Sequence, residues 1–562
     1  MTKLKGWKMA CAVAVLCGAE IAAPAQTFTT LFTFNGTNGS NAIAPLVQGT
    51  DGNFYGTTPA GGGDDFAGTL FKITPEGVLT TLHNFCTQPP NCSDGKSPSG
   101  ALLLAADGSF YGTTYAGGGN GFGTVFKFTP SGQFITLHSF APSEGINPSG
   151  PLVQDANGNL YGTTSVGGAH TQGTFFVITR QGVLTTLHNF CSIPYCPDGA
   201  GPQAGVIQAG DGNFYGTTPW GGAESATCTG GCGTVFKITA NGKLTTLHTF
   251  CEQASCADGA APIAGLVQAS DGDLYGVTIE GGAYGAGTAF RITLSGALST
   301  IHNFCAQTNC TDGSGSAVAL IQGDDGNFYG AAGSGAYYRY CLETCGMVFE
   351  MAKGGTLTTL HDFDGGDGEG PGSLVQDTNG ILYGLTYDGA FYNDGTVFSV
   401  NTSLLPFVRL VRASGKVGNN ALILGQGFTG TTGVSFDGSV ATFAVGADTY
   451  LTAMVPPGAT TGSVTVTTPG GPLTSNVPFR VTPQLLSFSP PSGPVGTVVT
   501  ITGVSLTQTT GVGFGDYMPA PFTVNSDNQV TATVPVGAKS GRVGVQTLGG
   551  TALSSAIFTV TP

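Results

Sequence analysis

Twelve paired cysteines, six recurring histidines and a set of loop aromatics are the residues of this chain whose types and spacing could do chemistry. After Cys11 and Cys17 near the N-terminus, the cysteines fall into six close pairs: Cys86/Cys92, Cys191/Cys196, Cys228/Cys232, Cys251/Cys256, Cys305/Cys310 and Cys341/Cys345. An even number in near-neighbour pairs predicts small disulfide loops in an oxidising compartment. Each would add roughly 2 kcal/mol of stability in the chain-entropy model. The rival chemistry is zinc, since the pairs at 228/232 and 251/256 could approach one another; the variable spacings favour bridging.

The histidines His83, His138, His188, His248, His302 and His361 recur in copies of the segment LTTLHNF. A ring of histidines invites a metal, but strands on an outer rim hold them far apart, so packing and hydrogen bonding is the expected role. Asp94, Glu144, Asp198, Asp258 and Asp312 each precede a glycine. Such residues are turn formers first, because the side chain bonds its own backbone. The other reading is an acidic ring attracting calcium. The densest oxygen-rich stretch, Asp362, Asp364, Asp367 and Glu369, does not match a calcium-loop spacing, so no metal or cofactor is assigned.

No Gly-x-Ser-x-Gly elbow, His-Glu-x-x-His or phosphate-cradling loop is present, and no catalytic residue is assigned. Cutting a sugar takes unlike carboxylates converging on one funnel. The short LVQ-type segments instead repeat amides, at Gln48, Gln154, Gln208, Gln268, Gln322 and Gln376, which suit the lining of a channel. Where the copies differ, the long loops carry Trp220, Tyr284, Tyr338, Tyr340 and Tyr392, with Phe391, Arg339, Glu224, Asp388 and Asn393 nearby. Aromatics beside hydrogen-bonding groups stack on sugar rings or anchor proteins, so these five are the candidate ligand-binding residues.

The elements that position them come from a repeat. Tyr-Gly follows a turn at Tyr55, Tyr111, Tyr161, Tyr215, Tyr275, Tyr329 and Tyr383, at intervals of 50 to 60 residues. A period of that length signals a propeller or a solenoid. Each unit reads as four strands, with Asn-Gly or Asp-Gly turns marking the first hairpin. A four-stranded antiparallel unit of this kind is a propeller blade. Only six copies of the fourth strand follow the seven Tyr-Gly strands. The missing copy stands at residues 28–34, FTTLFTF, which predicts a seven-bladed β-propeller closed between this N-terminal strand and the strand around 396–400. The tight turns then share one face. The long connections, with all the paired cysteines, share the other, and that is the candidate functional face.

The motifs DGNFYGTT, GTVFKIT and LTTLHNF, nearly unbroken over residues 51–85 and 211–250, resemble the bacterial GloVer tandem-repeat proteins across residues 28–400. That resemblance implies an exported, propeller-like protein, and it supplies no catalytic residues. Members carry varied C-terminal anchors, and no sorting tail is seen after Pro562. Beyond residue 400, SFSPPSGPVGTVVTITGVSL and the endings PFRVTP and IFTVTP resemble IPT/TIG domains, immunoglobulin-like β-sandwiches.

Composition agrees with an all-β, exported chain. Charged residues make up only 9%, against 93 glycines, as suits short strands and tight turns. A net charge of -15 and the lack of a Lys/Arg cluster argue against nucleic acid as a partner. Lys3, Lys5 and Lys8, an apolar run over residues 9–23 and Ala23-Pro24-Ala25 predict a signal peptide cleaved before Gln26. A lipid anchor at Cys17 is disfavoured by the bulky Leu16, and no later apolar run is long enough to span a bilayer.

The expected organisation is a signal peptide (1–25), a seven-bladed propeller (26–400) and two immunoglobulin-like sandwiches (401–483 and 484–562). The expected function is a secreted or cell-surface, non-catalytic binding or adhesion protein whose loop face contacts extracellular glycan or a surface protein. The alternatives are a propeller glycosidase or lyase acting on extracellular polysaccharide, and a structural envelope component.

Overall fold

The computed structural model describes residues 26–562 except 64–65, 89–90, 223–227, 334–344 and 516. The chain is all-β. Six four-stranded antiparallel sheets follow one another, and a seventh completes the series with the N-terminal strand Thr27–Thr33 on its edge. Among the described residues, no helix is long and apolar enough to cross a membrane.

Sheet 1 sets the pattern, running Val47–Gln48, Phe54–Thr58, Thr69–Ile73 and Leu79–Asn84 in both chain and spatial order. The Tyr-Gly pair in its second strand has a steric cause. A Cβ on Gly56 would lie 2.6 Å from the Phe71 ring of the third strand, and one on Gly216 would lie 2.6 Å from Phe236. The glycine therefore lets an aromatic of the next strand lie flat on the backbone. The tyrosine beside it reaches the neighbouring sheet: Tyr55 stacks on Phe110 at 4.2 Å, and Tyr275 meets Phe328 at 4.2 Å. Its hydroxyl donates back to the hairpin turn, as from Tyr215 to Asp211 at 2.8 Å.

These packings link the sheets in order. One apolar cluster joins sheet 1 to sheet 2 through Leu70, Phe85, Phe110 and Phe126, and equivalent clusters lie between each later pair. Another joins sheet 7 back to sheet 1 through Tyr383, Val397, Phe54 and Phe71. Contacts therefore run round a cycle. The inner-strand glutamines serve the same cycle. Gln268 accepts a bond from Gly210 N at 2.8 Å, Gln322 accepts from Ser270 N at 2.8 Å, and Gln48 donates to Thr378 at 3.0 Å. Gln48, Gln322 and Gln376 line the space between the inner strands, as expected, while the same amides also tie neighbouring inner strands together.

The N-terminal strand copies the fourth strand of the other sheets down to its irregularity. In sheet 1 the third-to-fourth register slips between Leu70 and Phe71, leaving Leu82 bulged. Thr27–Thr33 pairs with Thr396–Asn401 through the same slip, with Leu31 in the bulge. The bulged carbonyl then meets the next sheet. A Cβ on Gly77 would lie 2.4 Å from Leu31 O, just as one on Gly242 would lie 2.2 Å from Leu187 O.

Two further units follow, the first of two four-stranded sheets and one two-stranded sheet, the second of a four-stranded and a five-stranded sheet. The strands between Arg409 and Val481 enclose a core of Val408, Ile423, Phe436, Leu451 and Val466. Those from Gln484 to Val560 enclose Ile501, Phe514, Val530 and Phe558. The first unit does not stand away from the repeat. Arg412 donates to Asp155 O and Ala156 O at 3.4 and 3.3 Å, Thr449 bonds Thr50 O, and Arg409 bonds Gln376 O. All of these acceptors lie at or beside the tight turns, so the first unit covers the turn face. Leu410, Val411 and Leu424 close one end of the space between the inner strands, in a cavity also lined by Val47, Leu103, Ile321 and Val375.

Candidate functional site

With the turn face covered, the long connections form the face open to a ligand. Their fixed points are histidine–carboxylate pairs. His83 Nε2 lies 2.9 Å from Asp94, His138 lies 3.0 Å from Glu144, His188 lies 3.2 Å from Asp198, and His248 lies 2.9 Å from Asp258. His361 repeats the contact with Asp367 at 2.6 Å. His302 departs from it, standing 3.4 Å from Asp312 with its Nδ1 at 3.0 Å from Gly355 O.

Each acid also caps the link that follows the fourth strand. Thr87 N and Oγ1 donate to Asp94, and Ser192 N and Oγ donate to Asp198. Burial alone would raise the Asp94 and Asp198 carboxyls, but the histidine and these donors outweigh it and hold both below the usual carboxylate range. The turn acids and the histidines are thus one structural device. Where Phe32 takes the histidine's place in the N-terminal strand, it makes an edge contact with Phe34 at 5.6 Å.

Five of the expected disulfides are formed: Cys86–Cys92, Cys191–Cys196, Cys228–Cys232, Cys251–Cys256 and Cys305–Cys310. Cys345 is also disulfide-bonded, while Cys341 lies outside the described residues.

The candidate aromatics are spread around this face. Trp220 is 47% exposed, and its ring covers Gly201, where a Cβ would lie 2.6 Å from it. Tyr284 is 58% exposed in sheet 5. Tyr392 is 57% exposed and packs edge-on to Phe391, 89% exposed, at 4.9 Å. Tyr338 and Tyr340 lie outside the described residues.

The cavity on this face lies at none of these rings. About 400 Å3 in volume, it opens where sheets 6, 7 and 1 meet, walled by Ile43, Ala317, Val318 and Pro371 with Tyr387, Glu369 and Asp388. Glu369 and Asp388 sit directly opposite each other on paired strands, Glu369–Pro371 and Leu382–Asp388. Burial raises the Glu369 carboxyl and Asp388 raises it further; burial likewise raises Asp388, against the bond from Asn41. Asn41 Nδ2 donates to Asp388 at 2.8 Å and to Tyr387 O at 3.2 Å, fixing the far wall from sheet 1.

The signal for this pair lay in comparing copies. The bridge position holds Ser40/Ala60, Ile146/Val166, Ala200/Trp220 and Ala260/Glu280 in other sheets, and two acids only at Glu369/Asp388. Trp220 and Asp388 are therefore the same position in different sheets. Two opposed carboxylates with apolar walls and a neighbouring phenol can accept bonds from a polyol, hold a cation or share a proton.

The model of the Gloeobacter/Verrucomicrobia repeat matches residues 20–228 and 222–442, and that of the IPT/TIG domain matches residues 483–561. No curated protein matches the sequence. Among solved structures, a surface glycan-binding protein from Prevotella bryantii is 20% identical over 27% of this chain and 41% of its own, with a TM-score of 0.21. This chain thus spans less than half of that protein. A gluconolactonase from Xanthomonas campestris is 13% identical over 55% and 87%, with a TM-score of 0.34. A fungal alcohol oxidase of the AA5 family, in complex with copper, is 12% identical over 95% and 100%, with a TM-score of 0.40. Likeness at this level carries nothing about activity.

Proposed function

The chain belongs to the Gloeobacter/Verrucomicrobia repeat family and ends in an IPT/TIG domain; we propose that it is an exported seven-bladed β-propeller that binds glycan, without catalysis, on its loop face. The cyclic order of sheet contacts and the shared bulge of the N-terminal strand support seven blades over residues 26–400. The leader is residues 1–25, and immunoglobulin-like sandwiches occupy 401–483 and 484–562. Disulfides on the loop face suit an oxidising, extracellular setting.

The observation that carries the binding reading is the opposed Glu369/Asp388 pair in an apolar-walled cavity beside Tyr387. Carboxylate oxygens accept bonds from sugar hydroxyls, and the exposed rings of Phe391 and Tyr392, in the loop that follows Asp388, offer stacking surfaces. Acid–base cleavage would need the two pKa values pushed apart. Burial raises both carboxyls, so direction marks neither as the ionised partner that such a pair requires.

A glycan-array screen of residues 26–562 tests this directly. The double variant Glu369→Gln, Asp388→Asn should weaken capture of the bound glycan about tenfold, the worth of one bond to a charged group. Unchanged binding by that variant and by Tyr387→Ala would remove the site. Shortening of the bound oligosaccharide during incubation would mark an enzyme instead.

A further inference from the structure

We propose that Cys228, Cys232, Cys251 and Cys256 form a four-thiolate site for a thiophilic divalent cation such as zinc, closed off when the same residues are joined as two disulfides. The first pair lies in the long loop between the second and third strands of sheet 4, and the second in the link leaving its fourth strand. Their four sulfurs lie within 4.8 Å of one another, and Cys228 Sγ stands 3.7 Å from Cys251 Sγ across the two bridges.

A tetrahedral site with Zn–S bonds of about 2.3 Å has sulfurs about 3.8 Å apart. Each bridge must therefore open by about 1.8 Å from a covalent S–S bond of about 2 Å, while the cross-pair separations close by about 1 Å at most. Side-chain rotation supplies that movement without rebuilding the loops. Cys232 and Cys256 are buried, and Cys228 and Cys251 are half-buried, so the cation would sit under cover with access from one side.

Position sets this cluster apart from the other pairs. The bridges at Cys86–Cys92, Cys191–Cys196 and Cys305–Cys310 occupy the links of sheets 1, 3 and 5, and one bridge closes each link. The loop spacing of Cys228 and Cys232 recurs at Cys341 and Cys345, but the link of sheet 6 carries Asp364 and Asp367 in place of cysteines. Only sheet 4 brings both kinds of pair together among the described residues.

The chemistry balances with an external dithiol or phosphine reductant. Each bridge takes up two electrons and two protons to give two thiols, and a divalent cation binding the four sulfurs displaces up to four protons to solvent. The site is therefore open in the reduced chain and shut in the oxidised one.

The test uses the full chain, reduced without oxygen, freed of reductant and given one equivalent of Zn2+ before alkylation and peptide mass spectrometry. Zinc should slow alkylation of Cys228, Cys232, Cys251 and Cys256 by about tenfold, leaving Cys86, Cys191, Cys305 and Cys345 as reactive as before. Co2+ in place of zinc should give the absorption of a tetrahedral tetrathiolate at one metal per chain. The variant Cys228→Ser, Cys232→Ser should abolish both signals, and Cys191→Ser, Cys196→Ser should keep them. Protection spread evenly over all cysteines, or a cobalt spectrum unchanged in Cys228→Ser, Cys232→Ser, would overturn the proposal. A reduced chain that retains its β-sheet circular dichroism yet takes up no metal would do the same.

Discussion

Histidine and acid form the repeated unit of the loop face, and neither is spare. Asp258 is fully buried, accepting from Cys251 N at 3.2 Å and facing His248. Asp258→Ala would strand both groups and should cost about 2 kcal/mol, read from denaturant unfolding. Acid titration separates two kinds of carboxylate. Asp94 and Asp198 have depressed values, so the stability they add is complete above about pH 4 and drains away as pH falls through their folded pKa values. The double variant Asp94→Asn, Asp198→Asn should therefore flatten the acid limb of the stability curve. Glu369 is shifted the other way. Ionised, it subtracts from stability, and the subtraction vanishes as pH falls through its raised value. Glu369→Gln should accordingly stabilise the chain at pH 7 by about 0.5 kcal/mol, as expected for like charges facing each other across paired strands, and leave the melting temperature at pH 3 unchanged. The histidines and acids were each visible as periodic residues; their pairing was not, because it depends on the link curling back over the strand it leaves.

Among the elements, the displaced N-terminal strand was legible from counting copies of LTTLHNF, since a pattern that repeats six times makes a stray seventh conspicuous. Thr27–Thr33 pairs with Thr396–Asn401, the strand expected to receive it. Removing residues 26–34 would leave that strand as an open edge and strip Phe34 from the core between sheets 7 and 1. The melting temperature should fall by roughly 5 °C or more, and an unchanged value would refute closure. Individual glycines in the turns between third and fourth strands matter for a different reason. Gly242 has φ +86°, and a Cβ there would lie 2.2 Å from Leu187 O. Gly242→Ala should cost about 2 kcal/mol or more, by equilibrium unfolding, because the strained backbone and the clash act together.

At the scale of the whole molecule, the placement of the first C-terminal unit decides which surface is available. The unit containing Arg409, Arg412 and Arg480 lies against the hairpin turns. Burial lowers the pKa of all three guanidinium groups, with nearby acids acting in the opposite direction: Asp377 for Arg409, Asp155 for Arg412 and Asp211 for Arg480. Such arginines bond backbone carbonyls of the turns, as Arg480 does with Gln208 O at 3.5 Å. The triple variant Arg409→Ala, Arg412→Ala, Arg480→Ala should release the unit. Small-angle scattering would then show a larger radius of gyration, and proteases would cut near residues 401–406. The glycan binding proposed for the opposite face should stay unchanged, which separates a docking role from a ligand-binding one.

What the sequence determined by itself was periodic: the all-β class, the repeat length, the cysteine pairs, the split of turns and long loops between two faces, and the family. Those features survive in one dimension because each copy solves the same local problem, a glycine under an aromatic ring or a turn needing positive φ. The tertiary structure alone decided what depends on distant copies meeting. It set Glu369 against Asp388 beside Ile43 and Val318, drew two cysteine pairs of sheet 4 together, and seated the first C-terminal unit over the turns. Contacts of that kind join residues tens to hundreds of positions apart, and no spacing rule encodes which sheet differs from its neighbours or which face a following unit covers.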